Sequence, residues 1–153
     1  MEAPDFTLPA SNGENVTLSQ FRGKYVVLYF YPKDMTPGCT TEACDFRDHH
    51  EVFEELGAVV IGISPDSIVR HKKFFEKHRL PFLLLADEKQ DAAKAYDVWK
   101  LKKNFGKEYM GIERSTFLID PNGQIVKEWR KVKVNGHVEE VLNALKEAVG
   151  SNK

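Results

Sequence analysis

The stretch KYVVLYFYPKDMTPGCTTEAC, residues 24–44, decides how the chain is read. Its first part, KYVVLYFYP (24–32), is an unbroken β-branched and aromatic run stopped by Pro32. A run without polar alternation suits a central strand covered on both faces. The tripeptide Thr36-Pro37-Gly38 follows. A helix is then predicted, capped by Thr40 or Thr41 and running to about Leu56, with Phe46, Val52, Phe53 and Leu56 buried. The same stretch holds both cysteines, Cys39 and Cys44, spaced more widely than the redox pair Cys-x-x-Cys.

Three more runs of the same kind lie outward from this one: AVVIGIS (58–64), PFLLLA (81–86) and STFLID (115–120). DPNG (120–123) is a strong turn, so QIVKEWRKV after it returns as a hairpin partner. Upstream, PDFTLPASNGENVTL reads as a small hairpin around Ser-Asn-Gly. Helical patterns fall between the strands, in SPDSIVRHKKFFEKH and KQDAAKAYDV. A last helix carries Val138, Val141, Leu142, Leu145 and Val149 on one face and can end at Gly150. Strands alternating with helices and closed by a hairpin predict an α/β three-layer sandwich, thioredoxin-like, with a mixed central sheet and an N-terminal β-hairpin extension. No linker or repeat interrupts residues 1–153, which read as one domain.

Composition narrows the function classes. At 42% hydrophobic and 29% charged, the chain fits a globular protein rather than a disordered one. A formal net charge of −1 gives no general pull toward nucleic acid or anionic membrane, and the basic cluster KEWRKVKV (127–134) reads as a solvated edge strand or loop. The apolar runs are far short of the ~20 residues that cross a bilayer. MEAPDFTLPASNGE has neither a basic head nor an apolar core of the secretory kind, so a cytoplasmic location is expected, where a permanent disulfide is disfavoured.

Four readings of the thiols stand at this point: structural staple, metal clip, inert core residues, or reactive pair. Cys39 lies at the start of the predicted helix, where free N–H groups and the macrodipole favour a thiolate. Gly38 allows close approach of a small substrate, and Thr36 offers a hydroxyl that can donate and accept. In one regular helix, Cys39 and Cys44 would lie ~7.5 Å apart along the axis and about 140° apart around it, with Cα atoms roughly 8–9 Å apart. That exceeds the ~7 Å limit for bridging, so joining them requires the helix to unwind. A zinc site built from Cys39, Cys44, His49 and His50 is weakened by the adjacency of the two histidines, which point to different faces. His71, His78 and His137 read as surface or packing residues, and Trp99 and Phe105 as members of a loop-like region that could line a substrate mouth.

The string PKDMTPGC, with Pro32, Thr36 and Cys39, resembles the Pro-x-x-x-Thr-x-x-Cys signature of peroxiredoxins. TPGCTTEACDFRD is similar to the Q-type, or bacterioferritin comigratory protein, subfamily. GIERSTFLIDPNG, APDFTL and VNGHVEEVL extend the resemblance over nearly the whole chain. It implies that Cys39 is the peroxidatic cysteine and that Thr36 hydrogen-bonds thiolate and peroxide. It also implies that Arg114 stabilises the reacting charge, that Pro32 shields the site and that Glu42 orients the arginine. By the same resemblance Cys44 is the resolving cysteine, giving an intramolecular disulfide that a thioredoxin-like reductant reopens. The expectation is a peroxidase for hydrogen peroxide and organic hydroperoxides, without metal or organic cofactor, as a monomer or weak homodimer. Two rivals share the fold: a general thiol–disulfide oxidoreductase and a redox-sensing binding module.

Overall fold

The computed structural model describes residues 1–151. Nine strands and five α-helices occur in the order β1 (Thr7–Pro9), β2 (Asn15–Thr17), β3 (Tyr25–Phe30), α1 (Pro37–Asp48), α2 (His50–Glu55), β4 (Ala58–Ser64), α3 (Ile68–Lys77), β5 (Leu83–Ala86), α4 (Asp91–Ala95), β6 (Trp99–Asn104), β7 (Lys107–Ile112), β8 (Ser115–Ile119), β9 (Ile125–Trp129) and α5 (His137–Ser151), among the described residues. The central sheet has the order β5-β4-β3-β8-β9. The strands β3, β4 and β5 run parallel, while β8 and β9 are antiparallel additions, so the sheet is mixed as expected. The N-terminal hairpin β1–β2 forms its own two-stranded sheet.

Every residue of β3 is buried. Tyr25, Val27, Tyr29 and Tyr31 enter one apolar core with Phe46 of α1, Phe53 of α2, Phe74 of α3 and Val138, Val141 and Leu145 of α5. Val26, Leu28 and Phe30 enter a second core with Ala92 and Ala93 of α4, Tyr96, Leu18 and Ile112. The period-two alternation of a strand thus places helices on both faces of a strand that reads as continuously apolar.

Three helix boundaries differ from the sequence reading. The helix begins at Pro37, not after Thr40 or Thr41. Thr36, extended at φ −91 and ψ 153, stands at its N-cap position, and Pro37 supplies a preset φ where no N–H is needed. The helix also breaks at His49, whose φ of −104 and ψ of 3 leave the α region and whose Nδ1 donates to the Asp45 carbonyl at 2.9 Å. At the C-terminus Gly150 lies inside α5 instead of ending it.

The segment read as loop-like is the hairpin β6–β7. Its side chains are mostly exposed on both faces, so it carries no alternating apolar signal. Phe105 and Gly106, at φ 52 and 77, form its two-residue turn, a type I′ geometry that usually takes Asn-Gly. A phenylalanine in the first turn position conceals the signal.

Candidate active site

The register of β3 against β8 brings the site together. Phe30, the last residue of β3, lies opposite Ser115, the first of β8. Arg114 therefore stands where the chain leaves β3 and turns toward α1. Its Nη2 donates to Cys39 Sγ at 3.3 Å and its Nη1 to Glu42 Oε1 at 2.6 Å. Cys39 and Glu42 are one helical turn apart on the inward face of α1, and the guanidinium fork spans them.

Cys39 is 2% exposed, packed among core residues that include Tyr29, Ala43 and Phe46. The first i→i−4 bond of the helix runs from the Thr40 N–H to the Thr36 carbonyl, 2.9 Å. The amides of Gly38 and Cys39 precede it and are oriented for an anion at the helix start. A Cβ on Gly38 would meet Arg114 Nη2 at 3.3 Å, so the close approach that Gly38 permits is that of the arginine. The Thr36 hydroxyl donates to the Lys33 carbonyl at 2.9 Å, leaving its lone pairs as acceptors. Pro32 is half-buried at the end of β3.

Burial pushes the Glu42 carboxyl up to about 7, and the Arg114 charge and hydrogen bond offset only part of that. The Glu42 Oε2 atom and the Tyr29 hydroxyl are buried without a hydrogen-bond partner among the described residues. Burial pulls the Arg114 guanidinium down, but Glu42 and then Cys39 outweigh it and hold the group above its ordinary value.

The two thiols are free and face different partners. Cys44 Sγ lies 3.8 Å from Nδ1 of His78, which is half-buried at the end of α3 and packs on Phe74. Neither His49 nor His50 joins the cysteines. Among the described residues, the group within reach of a common metal ion is Asp34, Asp66 and His71, a different set from the four considered for zinc. Both nitrogens of that histidine are already engaged, Nδ1 with Asp34 Oδ2 at 2.5 Å and Nε2 with the Leu85 carbonyl at 2.9 Å, so the ring has no free lone pair for an ion.

One neighbour of the site escaped sequence reading, and another was read as core. Lys102 of β6 is held below its ordinary value by burial and then by Arg114, which places its charge near the guanidinium. The Tyr29 ring stacks on Phe46 of α1, centroids 4.7 Å apart, and supports the helix from beneath. Lys102 could have been found only by recognising the hairpin that carries it. Tyr29 reads as core, and is core.

A buried thiol at a helix start, held by an arginine whose second nitrogen is pinned to a carboxylate, defines a cysteine-centred oxidoreductase on a thioredoxin-like sheet. The AhpC/TSA family model matches residues 1–128. Peroxiredoxin Bcp of Bacillus subtilis is 69% identical over 146 residues, covering 95% of this chain and 93% of that protein. Peroxiredoxin Bcp of Escherichia coli K12 is 45% identical over 145 residues, covering 95% and 93%. Among solved structures, the bacterioferritin comigratory protein of Xanthomonas campestris, described for its alkyl peroxide reduction activity, superposes with a TM-score of 0.91 at 46% identity, covering 94% of this chain and 92% of that one. The chain belongs to the AhpC/TSA family, in its Bcp or Q-type peroxiredoxin branch. It is a thiol-dependent peroxidase.

Proposed function

We propose that Cys39 is the peroxidatic cysteine and Cys44 the resolving cysteine of an enzyme that reduces hydrogen peroxide and organic hydroperoxides. One observation carries the assignment: Arg114 donates to Cys39 Sγ and to Glu42 across the first turns of α1. The alkyl peroxide reduction activity of the Xanthomonas relative supports extending the substrate range beyond hydrogen peroxide.

The Cys39 thiolate attacks the terminal peroxide oxygen. An S–O bond forms, the O–O bond breaks, and the electron pair leaves with the second oxygen as alkoxide or hydroxide, which takes up a proton. Charge thus moves from sulfur to oxygen, and the fixed donors at that point are the Arg114 fork and the Gly38 and Cys39 amides. Glu42 anchors the arginine by its other nitrogen. Because the Thr36 proton goes to the Lys33 carbonyl, the Thr36 oxygen offers the peroxide an acceptor, and Pro32 screens the thiol from water.

The resulting Cys39 sulfenic acid is captured by Cys44. Both residues lie in one regular helix, so capture requires the first turns of α1 to unwind. A thioredoxin-like reductant reopens the disulfide. The protein works as a monomer or weak homodimer in a cytoplasm-like, reducing compartment, where free thiols are the resting state.

The decisive test is mass spectrometry after one equivalent of peroxide. We expect loss of two hydrogens and a peptide linking Cys39 to Cys44. Cys39→Ser should abolish peroxide turnover, and retention of full activity would overturn the assignment. Strong insulin reduction with slow peroxide consumption would instead favour general thiol–disulfide exchange.

A further inference from the structure

Cys44 is held at a corner where α1 meets the end of α3. His78 follows the last residue of α3, and its N–H donates to the Phe74 carbonyl at 3.2 Å. Its ring sits edge-on to Phe74, centroids 5.0 Å apart. Its carbonyl accepts from Arg47 Nη1 at 2.9 Å, and Arg47 lies one turn beyond Cys44. The imidazole is therefore held through its backbone and by its contact with the Phe74 ring, with Nδ1 toward Cys44 Sγ at 3.8 Å. Burial, then Lys77 of its own helix and Arg47 of α1, keep His78 below its ordinary value, so the ring is neutral near pH 7. Arg47 is in turn paired through Nε with Asp48 at 3.1 Å. In the tautomer with its proton on Nε2, the lone pair on Nδ1 accepts from the Cys44 S–H, the arrangement a base requires.

We propose that His78 is the general base of the resolving half-reaction, accepting the Cys44 proton in the folded enzyme so that Cys44 attacks as a thiolate. The inference rests on Cys44 being the resolving thiol. Cys44 Sγ gives its proton to His78 Nδ1 and its electron pair to Cys39 Sγ. The S–S bond forms as the S–O bond of the sulfenic acid breaks. Hydroxide leaves and takes the proton back from the imidazolium, giving water. Cys44 sulfur is oxidised and Cys39 sulfur reduced, so no further reagent is consumed. Attack by thiolate needs the base most where an ordinary thiol is only a few per cent ionised, near pH 7, and not at all well above its usual pKa of ~8.5.

The test is a single turnover with one equivalent of peroxide, acid-quenched and alkylated, from pH 6.5 to 9.5. Mass spectrometry would follow Cys39 sulfenic acid and the Cys39–Cys44 disulfide separately. His78→Gln should form sulfenic acid at the unaltered rate and the disulfide roughly tenfold more slowly at pH 7, with the gap closing above about pH 9. His78→Asn, run beside it with thermal melts of both variants, guards against a folding defect in one of them. Equal disulfide rates at pH 7, or a slowdown that stays constant with pH, would overturn the base and leave His78 a helix contact. If the unsubstituted enzyme forms sulfenic acid but never links Cys39 to Cys44, the resolving assignment falls first and the base falls with it.

Discussion

Arg114 is 75 residues from the thiol it touches, and nothing local in its neighbourhood says so. Cys39 differs, because a cysteine after Thr-Pro-Gly at a helix start is visible in the sequence as a candidate thiolate. Without the resemblance Arg114 would read as a surface charge, and its place comes from the β3–β8 register. Glu42 shows the physical cost of that arrangement. Its carboxyl is held at about 7 against an ordinary 4.5, chiefly by burial, so the folded protein keeps a proton that the unfolded chain releases. The contribution of Glu42 to folding stability should therefore fall as pH rises from about 4.5 to 7 and level off above that. His137 works in the opposite direction, because burial and then Arg114 hold it near 4, and its contribution rises with pH between about 4 and 6.5. In Glu42→Gln only the rise should remain. Urea midpoints at pH 4.5, 5.5, 6.5 and 7.5 check this, and parallel profiles for the two proteins would show the Glu42 account to be wrong.

At the scale of the element, α1 carries both thiols, and the proposed disulfide between them requires its start to open. Its N-cap residue makes no side-chain cap to the helix, and its first turn includes Gly38, a weak helix former. Its second half is fixed by the packing of Phe46 on Tyr29 and Phe53 and by Arg47 at the end of α3. Oxidation should raise amide hydrogen exchange across residues 39–48, most strongly toward the start of the helix. Identical protection in the reduced and disulfide forms would exclude unwinding as the route to the bond. The sequence reading placed the helix but not its ends. Thr36, Thr40 and Thr41 are equally good caps by type, and the choice among them was made by the position of the loop before the helix.

At the scale of the whole molecule, that loop is tied down by a buried polar network joining the end of β3 to α3 and β5. The Tyr31 hydroxyl donates to Asp34 Oδ1 at 2.5 Å, and the His71 ring spans Asp34 Oδ2 and the Leu85 carbonyl. The Asp34 N–H donates to Asp66 Oδ2 at 2.6 Å and Arg70 Nη2 to the Asp34 carbonyl at 3.1 Å. These bonds hold Met35 in the left-handed region at φ 63, a conformation costing on the order of 1 kcal/mol or more that persists because its surroundings over-determine it. Asp34→Ala would remove the carboxylate shared by the Tyr31 hydroxyl and His71 Nδ1, leaving them only each other at 3.4 Å, a loss of about 3–5 kcal/mol measurable by urea unfolding. A change below about 1 kcal/mol would mean that the network positions the loop without stabilising the fold.

The strands and helices of the central sandwich were legible from the sequence alone, because apolar runs of four to seven residues between turn residues admit few other structures. The place of Cys39 as a candidate thiolate was legible as well, since a helix start is a local feature. The partners of the two thiols were not. Arg114, Glu42, Lys102 and His78 are polar residues whose side-chain contacts depend on strand register and helix docking, and no local pattern encodes either. The spacing of the two cysteines already set them on different faces of one helix; what the tertiary structure alone decided is what each one faces, Cys39 an arginine and Cys44 a histidine, because those partners come from β8 and α3.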